Sequence, residues 1–144
     1  MTLHLIKLCV GAESVDDLAG WIAQRVADRR AAGAEEVTRH VTRMTPKRGA
    51  EIVGTGSLYW VIRGFIQARQ PILRLDPLVD ADGVNRCAII LSPELIATRL
   101  APRRPFQGWR YLAAEEAPAD LTGATGGDDV PEEMRRELAE LGLI

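Results

Sequence analysis

The chain has little of what catalytic and structural-metal chemistry usually draws on: 2 cysteines, 2 histidines and 5% aromatic residues in 144. Cys9 and Cys87 stand apart among aliphatic neighbours, no C-x-x-C is present, and His4 and His40 have no ligand-like spacing to either, so neither a zinc site nor a metal or organic cofactor is expected. Both thiols are expected to be buried and inert, because a free cysteine in apolar surroundings behaves as a small hydrophobe and disulfides are rare in reducing compartments. No apolar run approaches the roughly 18 residues a membrane helix needs. The run over 3–10 is broken by Lys7 and lacks the basic lead of a secretory signal, which leaves the cytoplasm as the expected location and no membrane as a partner. There is also no phosphate loop: Gly54-Thr55-Gly56-Ser57 has neither the lysine nor the following helix of a Walker A motif and reads as a turn.

Net charge is lacking too, with 18 Lys+Arg against 20 Asp+Glu and a formal sum of -2. Such a balance normally argues against a polyanionic partner. The average conceals a segregation: residues 1–38 hold 4 basic and 6 acidic groups, residues 39–111 hold 12 and 5, and residues 112–144 hold 2 and 9. A basic middle therefore precedes an acidic end, and RNA or another polyanion becomes the expected partner; oligomeric state is not legible.

Residues 3–10 read as a buried strand. Ser14 caps a helix over 15–32, with Val15, Leu18, Ala19, Ile22 and Val26 at helical spacing and Gly33 as its C-terminal stop. Alternation over 36–44 predicts a strand, and β-branched and aromatic residues predict another over 58–70, with Gly64 as a bulge and Pro71 as a break. Residues 72–79 and 84–91 form a hairpin about the turn 80–83, so that 36–91 reads as a meander of about four strands. Ser92-Pro93 has the signature of a helix start, Pro102 that of its end, and a last strand begins near Trp109. Residues 113–130 are composed like a linker, and a short helix over 131–141 closes the chain.

Function candidates come from the basic middle. Taken without a register break, the strand 59–69 turns Tyr59, Arg63, Phe65 and Arg69 to one face. Rings interleaved with arginine suit single-stranded nucleic acid, because bases stack on rings while cations meet phosphates. Two proline-stiffened loops add Lys47 and Arg48 on one side and Arg103, Arg104, Trp109 and Arg110 on the other. A catalytic set is harder to assemble: His40 is the one histidine in the block, and Glu51, Asp76 and Glu94 are acids in turns or helix starts.

The runs His4-Leu5-Ile6-Lys7-Leu8-Cys9-Val10-Gly11, Gly54-Thr55-Gly56-Ser57-Leu58-Tyr59-Trp60-Val61-Ile62 and Phe106-Gln107-Gly108-Trp109-Arg110-Tyr111-Leu112 resemble a family of small bacterial proteins defined as a domain of unknown function, over about residues 3–112. That resemblance carries no activity and transfers no catalytic residue. The basic loop, central aromatic strand and closing strand with Trp109 are also similar in architecture to RNA-binding β-barrels of the PUA and ASCH type. The expectation is an α+β domain over 1–112, its mixed, mostly antiparallel sheet curled into a partial PUA-like barrel under the 15–32 helix, followed by an acidic tail over 113–144. Its expected role is a non-catalytic RNA- or nucleic-acid-binding module. The alternatives are a small enzyme acting on a phosphorylated or carboxylated metabolite, with His40 moving a proton, and a protein-interaction module.

Overall fold

The first strand, β1 (Leu3–Leu8), alternates two apolar sets, and each finds a different layer of the protein. The computed structural model of the chain describes residues 2–121; the helix expected over 131–141 lies outside them. After β1 come α1 (Val15–Ala31), β2 (Thr38–Thr42), β3 (Ser57–Ile62), β4 (Phe65–Val79), β5 (Asn85–Leu91), β6 (Ile96–Pro102) and β7 (Trp109–Ala113). The strands make one seven-stranded sheet in the order β2-β5-β4-β3-β1-β7, with β6 paired to the first half of β4. Only β1 and β3 run parallel; the other pairings are antiparallel. The class is α+β, and the sheet does not close: β2 and β7 end the path as edge strands.

Helix α1 starts where its caps dictate. Ser14 Oγ accepts from the Asp17 N–H at 3.0 Å and Asp17 returns the contact to the Glu13 N–H at 3.1 Å. Its Leu18 and Ile22 pack on Leu3, Leu5, Leu58, Trp60 and Ile62 from one face of the sheet and on Cys87, Ile89 and Leu91 of β5. Ile6, Tyr59, Val61, Ile66 and Leu112 point to the other face, where Ala101, Phe106 and Ala117 cover them. Being covered on both sides explains why all six residues of β3 are buried and why its sequence does not alternate.

Four expectations about elements fail. Residues 58–70 are not one strand: Arg63 (φ 53°) and Gly64 (φ 83°) form a two-residue hairpin turn between β3 and β4. A tight turn of the primed type needs positive φ at both central positions, which Gly64 meets without cost and Arg63 tolerates. Pro71 is no break, because β4 runs through it at the point where its neighbours change from β3 and β6 to β5. Ser92-Pro93 starts no helix. The cap forms, with the Glu94 N–H donating to Ser92 Oγ at 3.2 Å, but the chain extends into β6 because the edge of β4 needs a partner. Nor is 36–91 a simple meander, since β2 pairs with β5 rather than β3. Past β7 the chain returns along β6, with the Arg99 N–H donating to Ala119 O at 2.8 Å and the Leu121 N–H to Ala97 O at 3.0 Å.

Candidate functional site

The structure does not gather the residues singled out in the sequence. Tyr59 and Phe65 offer no stacking surface: they are 4% and 8% exposed, because the hairpin turn and the double-sided cover put their strands in the interior. Arg69 is fully engaged, with Nε and Nη2 on the two carboxylate oxygens of Asp120 at 2.8 Å each and Nη1 on Ser57 Oγ at 2.7 Å. Arg63 turns back to Glu13 at 3.0 Å. Arg48 is held by Glu51 and lies over the Tyr111 ring at 5.7 Å. Arg103 is tied by its backbone N–H to Gly64 O at 2.9 Å, Arg110 lies over Phe106 at 5.6 Å, and Lys47 and Arg104 are exposed. Of these cations, Arg110 lines the groove described below, and Arg48 reaches its wall through Tyr111. The Gly54–Ser57 turn offers no anion nest either. Its N–H groups donate to Ile72 O, Ile52 O and His4 Nδ1, and a side chain at Gly56 would meet Leu3 O at 2.2 Å.

What the fold does assemble lies in the seam between the edge strands. Under α1 sits a cavity of about 160 Å³, reached by Lys7 and Leu8 from β1, Cys9 and Val10 just after it, Trp21 and Arg25 from α1, Thr38 to His40 from β2, Trp60 from β3 and Gln70 from β4. Beside it a groove of about 750 Å³ runs between Val41 to Met44 and Gln107 to Tyr111, and Lys7 lines both. The Trp109 Nε1–H donates to Met44 O at 3.0 Å across the seam and fixes the indole, against which Tyr111 sits edge-on at 5.0 Å. All three tryptophans of the chain line this cleft. So do five of the nine large apolar side chains left exposed among the described residues, Val10, Trp21, Val41, Met44 and Tyr111. Clustering of that kind marks a contact surface.

The electrostatics are one-sided. No Asp or Glu lines the cavity or the groove, and Lys7, Arg25, Arg39 and Arg43 make no ion pair among the described residues. Burial, then Lys7 and then Arg25 push the His40 pKa down to about 4, so its ring is neutral near pH 7; it packs edge-on against Trp60 at 5.6 Å. Burial also lowers the Lys7 pKa. The cavity floor is locked: the Trp60 Nε1–H donates to Gln70 Oε1 at 3.0 Å, and Gln70 Nε2 donates to Thr38 Oγ1 at 3.1 Å and Ser92 O at 2.9 Å. Cys9 and Cys87 are free thiols whose pKa values burial raises, which keeps them protonated and unreactive near neutrality. Among the described residues no group of three or more His, Cys, Asp and Glu is placed to hold a metal ion. No helix among them is long and apolar enough to cross a membrane.

Sequence reading found Trp109 and Arg110 at the groove but missed Lys7, Trp21, Arg25 and Arg43. Lys7 did leave a signal: it is the one charge in an otherwise apolar buried strand. An enzyme built on His40 lacks its acid, since Glu51 and Asp76 are engaged with Arg48 and Arg74, and neither they nor Glu94 lines the cavity.

Fold and seam together define a class, a small α+β domain with one helix on an open mixed sheet and a basic, aromatic cleft between its edge strands. The chain belongs to the family described as Protein of unknown function (DUF1489), whose model matches residues 5–144 and so runs on through the acidic tail. No curated protein and no solved structure matches it.

Proposed function

We propose that the protein is a non-catalytic nucleic-acid-binding module that holds single-stranded RNA in the groove between β2 and β7. The observation that carries this reading is the composition of the seam, where fixed aromatic rings meet cations that have no ion pair among the described residues and no carboxylate of those residues lines either cavity. Trp109 and Tyr111 present stacking surfaces, and Lys7, Arg25 and Arg43 meet phosphates, the division of labour that single-strand binders use. Because Trp109 is already fixed by Met44 O, little freedom is lost on stacking. The same reading takes the curled sheet as PUA-like and the cytoplasm, where free thiols persist, as its compartment.

The test is a fluorescence titration, for which Trp21, Trp60 and Trp109 serve as intrinsic reporters. A short single-stranded RNA is expected to give a saturable change at low salt that weakens steeply as salt rises, because each phosphate contact releases counterions. No saturable change, or one indifferent to salt, overturns the reading.

A further inference from the structure

The cavity under α1 shares Lys7 with the groove, yet its character differs. Its walls are mainly apolar and aromatic, with Leu18, Trp21, Ile22, Trp60 and Leu91 around it, so a bare phosphate inside would lose hydration with little return. Three cations line it: Arg25 on α1 and Arg39 on β2 are exposed, and half-buried Lys7 lines the groove as well. Size narrows the occupant further. A cavity of about 150 Å³ accepts a benzene-sized ring, and this one measures about 160 Å³.

Two polar groups inside keep unused hydrogen-bonding capacity. Thr38 Oγ1 accepts from Gln70, and its own proton has no acceptor among the described residues. His40, two residues along the same inward face of β2, has no hydrogen bond from either ring nitrogen among them. A neutral imidazole offers one donor and one acceptor. With the Thr38 hydroxyl, it matches the mixed donor and acceptor edge of a single-ring base. Gln70 is not available for this, because both its N–H groups are already placed.

We infer that the cavity under α1 is a base pocket that receives one everted pyrimidine of the strand held in the groove, with Thr38 and His40 reading its edge and Lys7 and Arg25 meeting the flanking phosphates. This rests on the nucleic-acid reading above and adds a preference to it. Unstacked bases in single-stranded RNA are read in this way, by hydrogen bonds on an exposed edge and by aromatic contact.

The experiment compares full-length protein binding to oligouridine, oligoadenosine and an abasic strand of equal length and charge, with uridine monophosphate as a separate arm. Oligouridine is expected to bind roughly five- to a hundredfold tighter than the abasic strand, the range that stacking one base contributes. Oligoadenosine is expected to fall between them. Thr38→Val and His40→Ala are expected to remove the oligouridine preference and leave abasic binding unchanged. An NMR titration that moves the His40 ring signals with oligouridine and not with the abasic strand supplies the same answer without any substitution. An oligouridine preference that survives both Thr38→Val and His40→Ala overturns the base pocket while leaving the groove intact. Failure of every strand to bind overturns the groove reading itself. Uridine monophosphate binding tighter than the strand overturns the everted base in favour of a free nucleotide.

Discussion

Two half-buried basic regions lie on opposite faces of the same sheet, and they are built differently. On one, Arg69, Asp120, Ser57, His4 and Tyr59 form a closed set: Arg69 makes three hydrogen bonds, the Ser57 N–H donates to His4 Nδ1 at 2.9 Å, and His4 sits edge-on to Tyr59 at 5.0 Å. On the other, Lys7, Arg25 and His40 surround a cavity and make no hydrogen bond to one another or to an acid among the described residues. Both histidines have lowered pKa values from burial first and neighbouring cations second. The shared shift therefore does not tell the regions apart. What distinguishes them is whether hydrogen-bonding capacity is used internally or left facing a cavity. A satisfied charge pair is architecture, and an unsatisfied cluster of one sign is an invitation to a ligand of the other.

That contrast can be broken from the closed side with the largest effect. Gly56→Ala places a methyl group 2.2 Å from Leu3 O and 2.9 Å from Ile52 O, both backbone atoms held in the β1–β3 region. The expected loss is more than about 3 kcal/mol in urea unfolding, because backbone in a packed layer has little room to shift. Arg69→Met is milder. It leaves Asp120 and Ser57 without their partner and is expected to lower stability by about 2 kcal/mol while leaving RNA affinity within about twofold of wild type. If Arg69→Met abolished binding with the fold intact, the closed cluster would belong to the site and the contrast would be lost.

A smaller effect sharpens the contrast through pH. The folded chain refuses a proton on His40 until about pH 4, whereas the unfolded chain takes one near the ordinary value of 6.5. Between those limits the unfolded state binds more protons, so the His40 contribution to stability is level above pH 6.5 and falls as pH drops toward 4. His4 is shifted in the same direction and adds to the same window. His40→Asn is expected to flatten part of this fall when unfolding is followed at pH 7, 5.5 and 4.5. An unchanged profile would show that His40 is not desolvated beside Lys7 and Arg25.

The fold was more legible than the site, and particular residues show why. Ser14, Asp17 and Gly33 delimit α1 by local hydrogen bonds that any sequence reading can anticipate. Arg63-Gly64 lacks the Asn-Gly or Asp-Gly pair that announces a tight hairpin, so the turn read as a bulge and Phe65 and Ile66 were given the wrong faces, while a register shift at Trp60/Val61 returns Arg69 to the face of Tyr59. Ser92-Pro93 carried a true local signal that the unpaired edge of β4 overrode. At the seam, Lys7, Arg25, His40 and Trp109 come from four elements spread over a hundred residues, and each alone is unremarkable. Only the sheet order, which leaves β2 and β7 as open edges, brings them to one cleft. Of the arginines that the basic middle block singled out, Arg48, Arg63 and Arg69 are paired with acids within the fold.

The seam can be tested most directly through the salt dependence of single-stranded RNA binding, measured in parallel for the wild type and for Lys7→Gln combined with Arg25→Gln. Each phosphate contact on a single strand contributes about 0.7 to the slope of log affinity against log salt, so the double variant should show a slope shallower by about 1.4. Its unfolding free energy should stay within about 0.5 kcal/mol of wild type, as expected for cations that make no ion pair among the described residues. Parallel slopes for the two proteins would contradict the assignment of the seam as the strand-binding site.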